Sequence, residues 1–330
     1  MKELALILGV ALLCGAGCAS GAAPGEFTPA AQDRIVPAGA TLDLLWNEGE
    51  FTEGPALAPD GSIYFSDIGN RILRFDPGTR RTEVARNPSG KSNGLKFDRD
   101  GRLIACEGAG PGGNRRISVT EASGQIRSLA DRWNGKRFNS PNDLAIDAKG
   151  NIYFTDPRYG GAEPREIDFE GVFLVTPAGA VTLATRDVQK PNGILVSQDG
   201  RTVYVADTNS DPKGNHQLVA FRIQTDGTLV DKRVIYDFGP DRRPIDGMAL
   251  DASGNIVATG GSGERAGLYI FGPTGEPLAF IKMPGDPTNC AFGGSKEPTT
   301  VYVTGQGPEE PGKPRRYALY RITLAIRGRS

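Results

Sequence analysis

The stretch EGPALAPDGSIYFSD, residues 53–67, decides the fold. It opens on a carboxylate, runs through small and apolar residues to a Pro-Asp-Gly turn, and enters the β-rich run IYFSD. The same plan recurs at Asn93 (NGLKFDRDG), Asn142 (NDLAIDAKG), Asn192 (NGILVSQDG) and Asp246 (DGMALDASG), and with a looser turn at Asn289 (NCAFGGSKE). In the first five units the turn glycine (Gly61, Gly101, Gly150, Gly200 and Gly254) always falls 8 residues after the polar residue, a register that chance would not keep. Each turn leads into another β-rich run: LIACE, IYFTD, VYVAD, IVATG and, for the sixth, VYVTG. Successive units start 40, 49, 50, 54 and 43 residues apart, room for four short strands each. An all-β repeat of that period is a propeller blade. The sequence therefore predicts an all-β, six-bladed β-propeller. The strand-like stretches 41–46 and 318–326 are expected to pair N- and C-terminal strands in one blade, closing the circle and removing the exposed edge.

Composition agrees with that class. The 45 Gly and 24 Pro are too many for a helical bundle, and 38% apolar residues suffice for a core. Lys plus Arg total 38 against 39 Asp plus Glu, with no long like-charge block, which argues against nucleic acid as a partner. Residues 1–24 differ from the rest: Lys2, an apolar run over 4–13, then small residues around Cys14 and Cys18. This pattern reads as a signal peptide, leaving 25–330 as one propeller domain. The run is about half of the roughly 20 apolar residues that cross a bilayer, so no transmembrane span is expected. The sequence Gly15-Ala16-Gly17-Cys18 resembles a bacterial lipoprotein processing site, although Gly15 stands where a larger aliphatic residue is usual. Lipid anchoring at Cys18 and simple cleavage nearby both stay open. The expected location is outside the cytoplasm: periplasmic, secreted, or tethered to the outer membrane as a lipoprotein. Removing the signal leaves Cys106 and Cys290, both in apolar strand contexts and expected to be buried free thiols.

In a propeller the first strand of each blade lies nearest the axis, so the six polar residues face one another across a channel mouth. All six are Glu, Asp or Asn. Asn-Gly and Asp-Gly pairs also make tight turns, which would explain Asn93 and Asn289 without a ligand. Glu53-Gly54-Pro55 is a poor turn formula, and a buried carboxylate without a partner is costly. Two carboxylates, Glu53 and Asp246, at about 5 Å would repel by roughly 3 kcal/mol at an effective dielectric of 20. One divalent cation reverses that sign. Glu53 and Asp246 with Asn192, and Asn142 beside them, offer hard oxygens that suit Ca²⁺, with Mg²⁺, Mn²⁺ or Zn²⁺ as alternatives. A thiolate or imidazole zinc site is hard to build from one His and two separated Cys. His216 is expected to be a surface residue flanking a strand, away from the ring, which also argues against Ser-His-Asp catalysis.

A second set of acids, Asp67, Glu107, Asp156 and Asp207, follows the ring residues at offsets of 14, 14, 14 and 15. Antiparallel pairing returns them to the ring's end of the blade, where they can end hairpins or brace the loops behind the site. Asn142, Asn93, Arg158 and Tyr159 are the candidate substrate contacts; for Arg158 and Tyr159, and for Arg242 and Arg243, plain surface loop is an equal reading. Residues 108–113 fit the dinucleotide pattern G-x-G-x-x-G, but NRRISVTEASGQIRSL after them reads as a hairpin, so there is no helix N-terminus to hold a phosphate.

Taken together, FTEGPAL, SNGLKFDRDGRLIACEG, SPNDLAIDAKGNIYFTDPRYG, KPNGILVSQDGRTVYVAD, PIDGMALDASGNI and DPTNCAFGG resemble the SMP-30/gluconolactonase/luciferin-regenerating-enzyme family of six-bladed propellers, over most of the chain. The resemblance implies a lactonase with a single divalent metal, usually calcium, held by Glu53, Asn192 and Asp246. It implies that Asn142 contacts substrate or a metal-bound water. In such a site the metal polarises the lactone carbonyl and Asp246 is the candidate proton shuttle. Two positions depart from the pattern. Ser140 stands where some relatives carry an Arg that holds a sugar lactone, and Gly108, opening a glycine-rich insertion, stands where many bacterial relatives have His. The substrate rim is therefore expected to be altered. Three functions stay open: a metal-dependent lactonase; a related hydrolase or lyase acting on aryl esters, phosphotriesters or another small molecule; and a non-catalytic ligand-binding propeller, since IYFSD and IYFTD are similar to the YWTD repeats of receptor propellers.

Overall fold

A computed structural model describes residues 27–240, 243–309 and 311–328. The predicted signal segment, with Cys14 and Cys18, and Arg242 lie outside the described residues. Within them the chain forms six antiparallel four-stranded sheets, five of them in plain sequence order. Their innermost strands are Thr52–Leu57, Ser92–Phe97, Leu144–Ile146, Pro191–Val196, Met248–Leu250 and Pro287–Phe292, each opening within two residues of a predicted ring residue. The sixth sheet mixes the two ends of the chain: Asp43–Gly49 pairs with Tyr317–Thr323, with Asp43 opposite Arg321. This is the predicted six-bladed propeller and its predicted closure.

The five turn glycines all adopt left-handed backbone, from φ +67° at Gly200 to +92° at Gly61, which glycine reaches without a Cβ penalty. The hairpin predicted after the glycine-rich insertion is present as Arg116–Thr120 paired with Ile126–Ala130. Burial falls from axis to rim because inner strands are covered on both faces by neighbouring blades. Pro191–Val196 and Ile256–Gly260 are buried throughout, whereas the outer strand Arg81–Arg86 is mostly exposed. Between blades the cores are apolar; Leu195, Tyr204 and Leu218 of the fourth blade pack with Met248, Ile256 and Phe271 of the fifth. A one-turn helix, Gln32–Ile35, covers the outer edge of the fifth blade, where the Gln32 amide exchanges two hydrogen bonds with the backbone of Phe280. Cys106 and Cys290 are buried free thiols. No described helix is long and apolar enough to cross a membrane.

Candidate active site

The ring is built by backbone contact between adjacent inner strands. Gly94 N donates to Asn142 O at 2.7 Å, Gly193 N to Asp246 O at 2.8 Å, and Gly247 N to Thr288 O at 2.8 Å. Hydroxyls add further ties between blades: Ser66 to Asn93 O at 2.7 Å, Thr155 to Asn192 O at 2.8 Å, and Thr288 to Thr52 O at 2.7 Å. At Gly193 the residue after the ring position must be small, because a Cβ there would lie 2.4 Å from Asp246 O. Asn93 and Asn289 therefore sit within strands and not at the tight turns that Asn-Gly chemistry suggested.

The ring side chains floor a cavity of ≈ 360 Å³ that includes Glu53, Asn93, Asn142, Asn192 and Asp246. Its walls add Tyr159, Phe51, Ile68 and Lys91, with Gly108, Ala109, Ser140 and Pro141 on one side. Glu53 is buried, and its Oε2 accepts from Gly54 N at 2.8 Å. Burial first, then the nearby Asp246 carboxylate, holds the Glu53 carboxyl well above its ordinary range. Asp246 accepts Asn192 Nδ2 at 2.7 Å on one oxygen and Arg243 Nη2 at 2.5 Å on the other. Burial also raises Asp246, and the Arg243 charge opposes it.

A third carboxylate, Asp143, was missed by the sequence reading. It occupies the position after Asn142 where four blades have glycine and the sixth has Cys290, and its Oδ1 accepts Leu144 N at 2.8 Å. Burial raises it and the Lys96 charge opposes that shift. It fits only because Gly94 leaves room: a Cβ there would lie 2.6 Å from Asp143 Oδ1. The Asn289 side chain opposes the shifts of both Glu53 and Asp143, but Asn289 does not line the cavity.

The structure separates the two predicted loop contacts. Tyr159 leaves half its surface in solvent while its phenol is held above its ordinary range by burial and by Asp246. Lys190 Nζ sits 5.1 Å from the ring centre. Arg158 does not line the cavity; its guanidinium is drawn beneath its own loop by Glu163, 3.3 Å away, and by the carbonyls of Gly160 and Gly161. His216 needs the opposite correction. It is not a surface residue remote from the ring: it is 5% exposed and lines a second cavity that shares Tyr159, Asn192 and Asp246 with the first. The register explains why, since His216 pairs with Thr208, one residue beyond Asp207, at the ring's end of the blade.

The second set of acids braces the loops that lead into the ring. Asp67 accepts Phe51 N at 2.8 Å, Asp156 accepts Asn139 N and Ser140 N at 2.7 Å, and Asp207 accepts Gln189 N and Lys190 N at 2.9 Å. Glu107 instead joins Arg86 at 2.6 Å and Arg116 at 2.7 Å. Burial pushes Asp156 up to about 7 against those two backbone bonds.

Among the described residues no three His, Cys, Asp or Glu side chains approach closely enough to hold a metal by themselves. A cation here needs asparagine oxygens, and the donor set is consistent with that. Two carboxylates, Glu53 buried and Asp246 partly buried, face the cavity, no described ion pair neutralises Glu53, and Asn93 Oδ1 is buried in the wall without a hydrogen-bond partner. Asn192 would have to turn its amide oxygen, in place of its NH₂, toward such an ion.

Comparison with known proteins follows the same lines. A family profile, the SMP-30/gluconolactonase/LRE-like region, matches residues 51–306. A gluconolactonase of Zymomonas mobilis subsp. mobilis is 29% identical over 265 residues, 72% of either chain. A solved structure from Xanthomonas campestris, described as a gluconolactonase important in glucose secondary metabolic pathways, superposes with a TM-score of 0.76 at 28% identity over 92% of this chain and 96% of that one. Regucalcin of Agrobacterium tumefaciens, described as a calcium-binding protein, shares the fold at a TM-score of 0.70 and 20% identity, over 88% of this chain and 96% of that one. The repeat, the ring and the profile match converge, and the chain belongs to the SMP-30/gluconolactonase/LRE-like family.

Proposed function

We propose that the protein hydrolyses lactones in the ring cavity with the help of one divalent cation, calcium first among the candidates. The observation that carries this reading is the pair of carboxylates, Glu53 buried and Asp246 partly buried, facing one cavity beside the unpaired Asn93 Oδ1. A cation held by Glu53, Asp246 and Asn192 would offset the carboxylate repulsion and act as a Lewis acid on the lactone carbonyl. Asp246 would take a proton from the water that attacks the carbonyl carbon. As the ring C–O bond breaks, the same proton would pass to the leaving alkoxide, giving a hydroxy acid. Arg243 orients the Asp246 carboxylate through one oxygen, while the bond from Asn192 Nδ2 to the other would give way as the Asn192 amide oxygen turns to the cation. Asn142 and Asn93 would position the lactone's oxygens, and Tyr159 would roof the bound ring. We extend the proposal to location: the pattern of residues 1–24 supports export, with Cys18 as the candidate anchor.

The reading is tested by following proton release from glucono-δ-lactone and a panel of γ- and δ-lactones, before and after chelation and return of calcium. Turnover should vanish on chelation and return with calcium. Asp246→Asn should lose at least about 10²-fold in kcat, as expected for a group that moves a proton in the transition state. Turnover that survives complete chelation, or an Asp246→Asn enzyme of full activity, would refute it.

A further inference from the structure

We propose that the substrate site has a second chamber, between the fourth and fifth blades, in which His216 accepts a hydrogen bond from a substrate hydroxyl. This deepens the lactone reading and rests on it. The chamber is a cavity of ≈ 430 Å³ that shares Tyr159, Asn192 and Asp246 with the ring cavity. A ligand whose carbonyl lies at the ring can therefore reach the chamber past Tyr159 without crossing the protein interior.

The chamber wall holds an unmet acceptor on a buried side chain, His216. His216 Nδ1 lies 2.9 Å from Gly239 O. A carbonyl oxygen can only accept, so Nδ1 carries the proton and the neutral ring presents its Nε2 lone pair. Among the described residues Nε2 has no partner. Thr208, Asn209 and Arg243 are engaged elsewhere. Thr208 Oγ1 donates to Ile245 O at 2.7 Å. The Asn209 amide donates to Gln189 Oε1 at 3.0 Å and accepts from Asp211 N at 3.1 Å. Arg243 spends its guanidinium on Asp246, Gly261 O and Pro287 O.

What remains, beside the hydroxyls of Tyr159 and Ser210 and the amide oxygen of Asn192, is an acceptor on the buried His216 side chain. Its complement is a neutral donor. A carboxylate would meet the Nε2 lone pair and Asp246 together, whereas a hydroxyl can donate to Nε2 and leave Asp246 to its own work. The chemical class is thus a hydroxylated lactone, with the carbonyl at the ring and a hydroxyl at His216. A site built to accept from a hydroxyl discriminates against the analogue that lacks it, because binding that analogue leaves a buried acceptor unpaired.

The chain contains one His, so its imidazole can be read without assignment in mature protein made without a histidine tag. Long-range ¹H–¹⁵N correlation should find the Nδ1–H tautomer. Titration with glucono-δ-lactam, a polyhydroxylated analogue that resists hydrolysis, should move the Nε2 resonance; δ-valerolactam, the bare ring, should not. In turnover, His216→Leu should lose about 10- to 100-fold in kcat/KM on glucono-δ-lactone and stay within about twofold on δ-valerolactone, with His216→Gln, which keeps an acceptor, between the two. An Nε2 resonance unmoved at saturating glucono-δ-lactam, or moved equally by both lactams, would overturn the chamber; so would equal losses on both lactones in His216→Leu. If the unmodified protein hydrolyses neither lactone the lactone reading fails, and the lactam titration still decides the chamber alone.

Discussion

Substituting Gly193 by alanine tests whether the ring is held by backbone contact between blades. The added Cβ would lie 2.4 Å from Asp246 O and 3.1 Å from Gly247 Cα, where 3.4 Å marks the start of ordinary contact. The obstacle is backbone on a buried strand, so no side chain can swing aside. The fourth and fifth inner strands must separate by about 1 Å, which weakens the Gly193 N to Asp246 O bond of 2.8 Å. Overpacking costs about 1–3 kcal/mol and a weakened buried hydrogen bond about 1 kcal/mol, so a loss of about 2–4 kcal/mol is expected. In a chain of this size that corresponds to a fall of roughly 3–6 °C in melting temperature. Because the obstacle is the carbonyl of Asp246 itself, catalysis should suffer too; a misplacement of about 1 Å can cost on the order of 10²-fold. The assay is calorimetric unfolding beside lactone turnover, with Gly160→Ala as control. A Cβ at Gly160 meets nothing within 4 Å, and its backbone is not left-handed. That control should change stability by less than about 0.5 kcal/mol. A Gly193→Ala protein as stable as the control and fully active would refute the reasoning.

Two further predictions concern pH. Glu53 is raised above the ordinary carboxylate range by burial and by Asp246, so its folded form holds a proton that the unfolded chain has released. Stability from this group is present at low pH and lost as pH rises through the folded value. In chelator, Glu53→Gln should thus show a flatter stability–pH curve than the parent protein and equal or exceed its stability at pH 8, while losing most of the stabilisation that calcium confers. Unfolding midpoints across pH, with and without calcium, decide it; a variant less stable than the parent in chelator at pH 8 would contradict the repulsion argument. Asp156, pushed up to about 7 from 3.8, has the same sign. A shift of about 3 units corresponds to roughly 4 kcal/mol lost as pH climbs from about 4 to above 7. Urea unfolding of Asp156→Asn should show that share of the pH dependence gone, and an unchanged slope would argue that its two backbone bonds keep Asp156 ionised throughout.

The sequence was most legible where local chemistry repeats. A left-handed turn at a constant distance from a strand start is readable five times over, and blade number and closure follow from it. The polar residue of each ring pair was equally visible, but the reason for its small neighbour was not. Gly193 is required by the next strand's backbone and Gly247 by the Asn289 side chain, contacts between residues more than 40 positions apart that no local pattern encodes. Asp143 did leave a trace, as the one acid in a position otherwise Gly or Cys, and that break in the repeat could have been followed. His216 was misread because its segment was judged by distance in sequence from the ring residues. Antiparallel register returns residue 216 to residue 208, and Asp207 had already been assigned to the ring's end. The clue was an offset, and it lay one residue away. Arg158 failed for a different reason: a loop position says where a residue is, and only packing decides which way a long side chain turns.

The two departures from the family pattern, Ser140 and Gly108, act as one change. Ala109 N donates to Ser140 Oγ at 3.0 Å, and a Cβ on Gly108 would lie 3.0 Å from the same oxygen. The glycine-rich insertion is thus laid against residue 140 and tied again by Gly110 N to Glu163 Oε1 at 2.7 Å. An arginine at 140 would have to displace this loop, and a side chain at 108 would crowd the serine, so neither reversion is independent of the other. The consequence is electrostatic. On this wall the third blade now presents a hydroxyl already engaged and no cation, while Lys91, on the neighbouring loop, lines the cavity with no ion pair among the described residues. Its backbone is fixed at φ +59° by Asn70 Oδ1, which accepts Lys91 N at 2.9 Å, and by Gly108 N, which donates to Lys91 O at 2.9 Å. Left-handed backbone is uncommon for lysine, and here the same insertion that covers Ser140 holds it in place. Among the described residues that line the cavity, the cation is therefore Lys91, on the loop that enters the second blade.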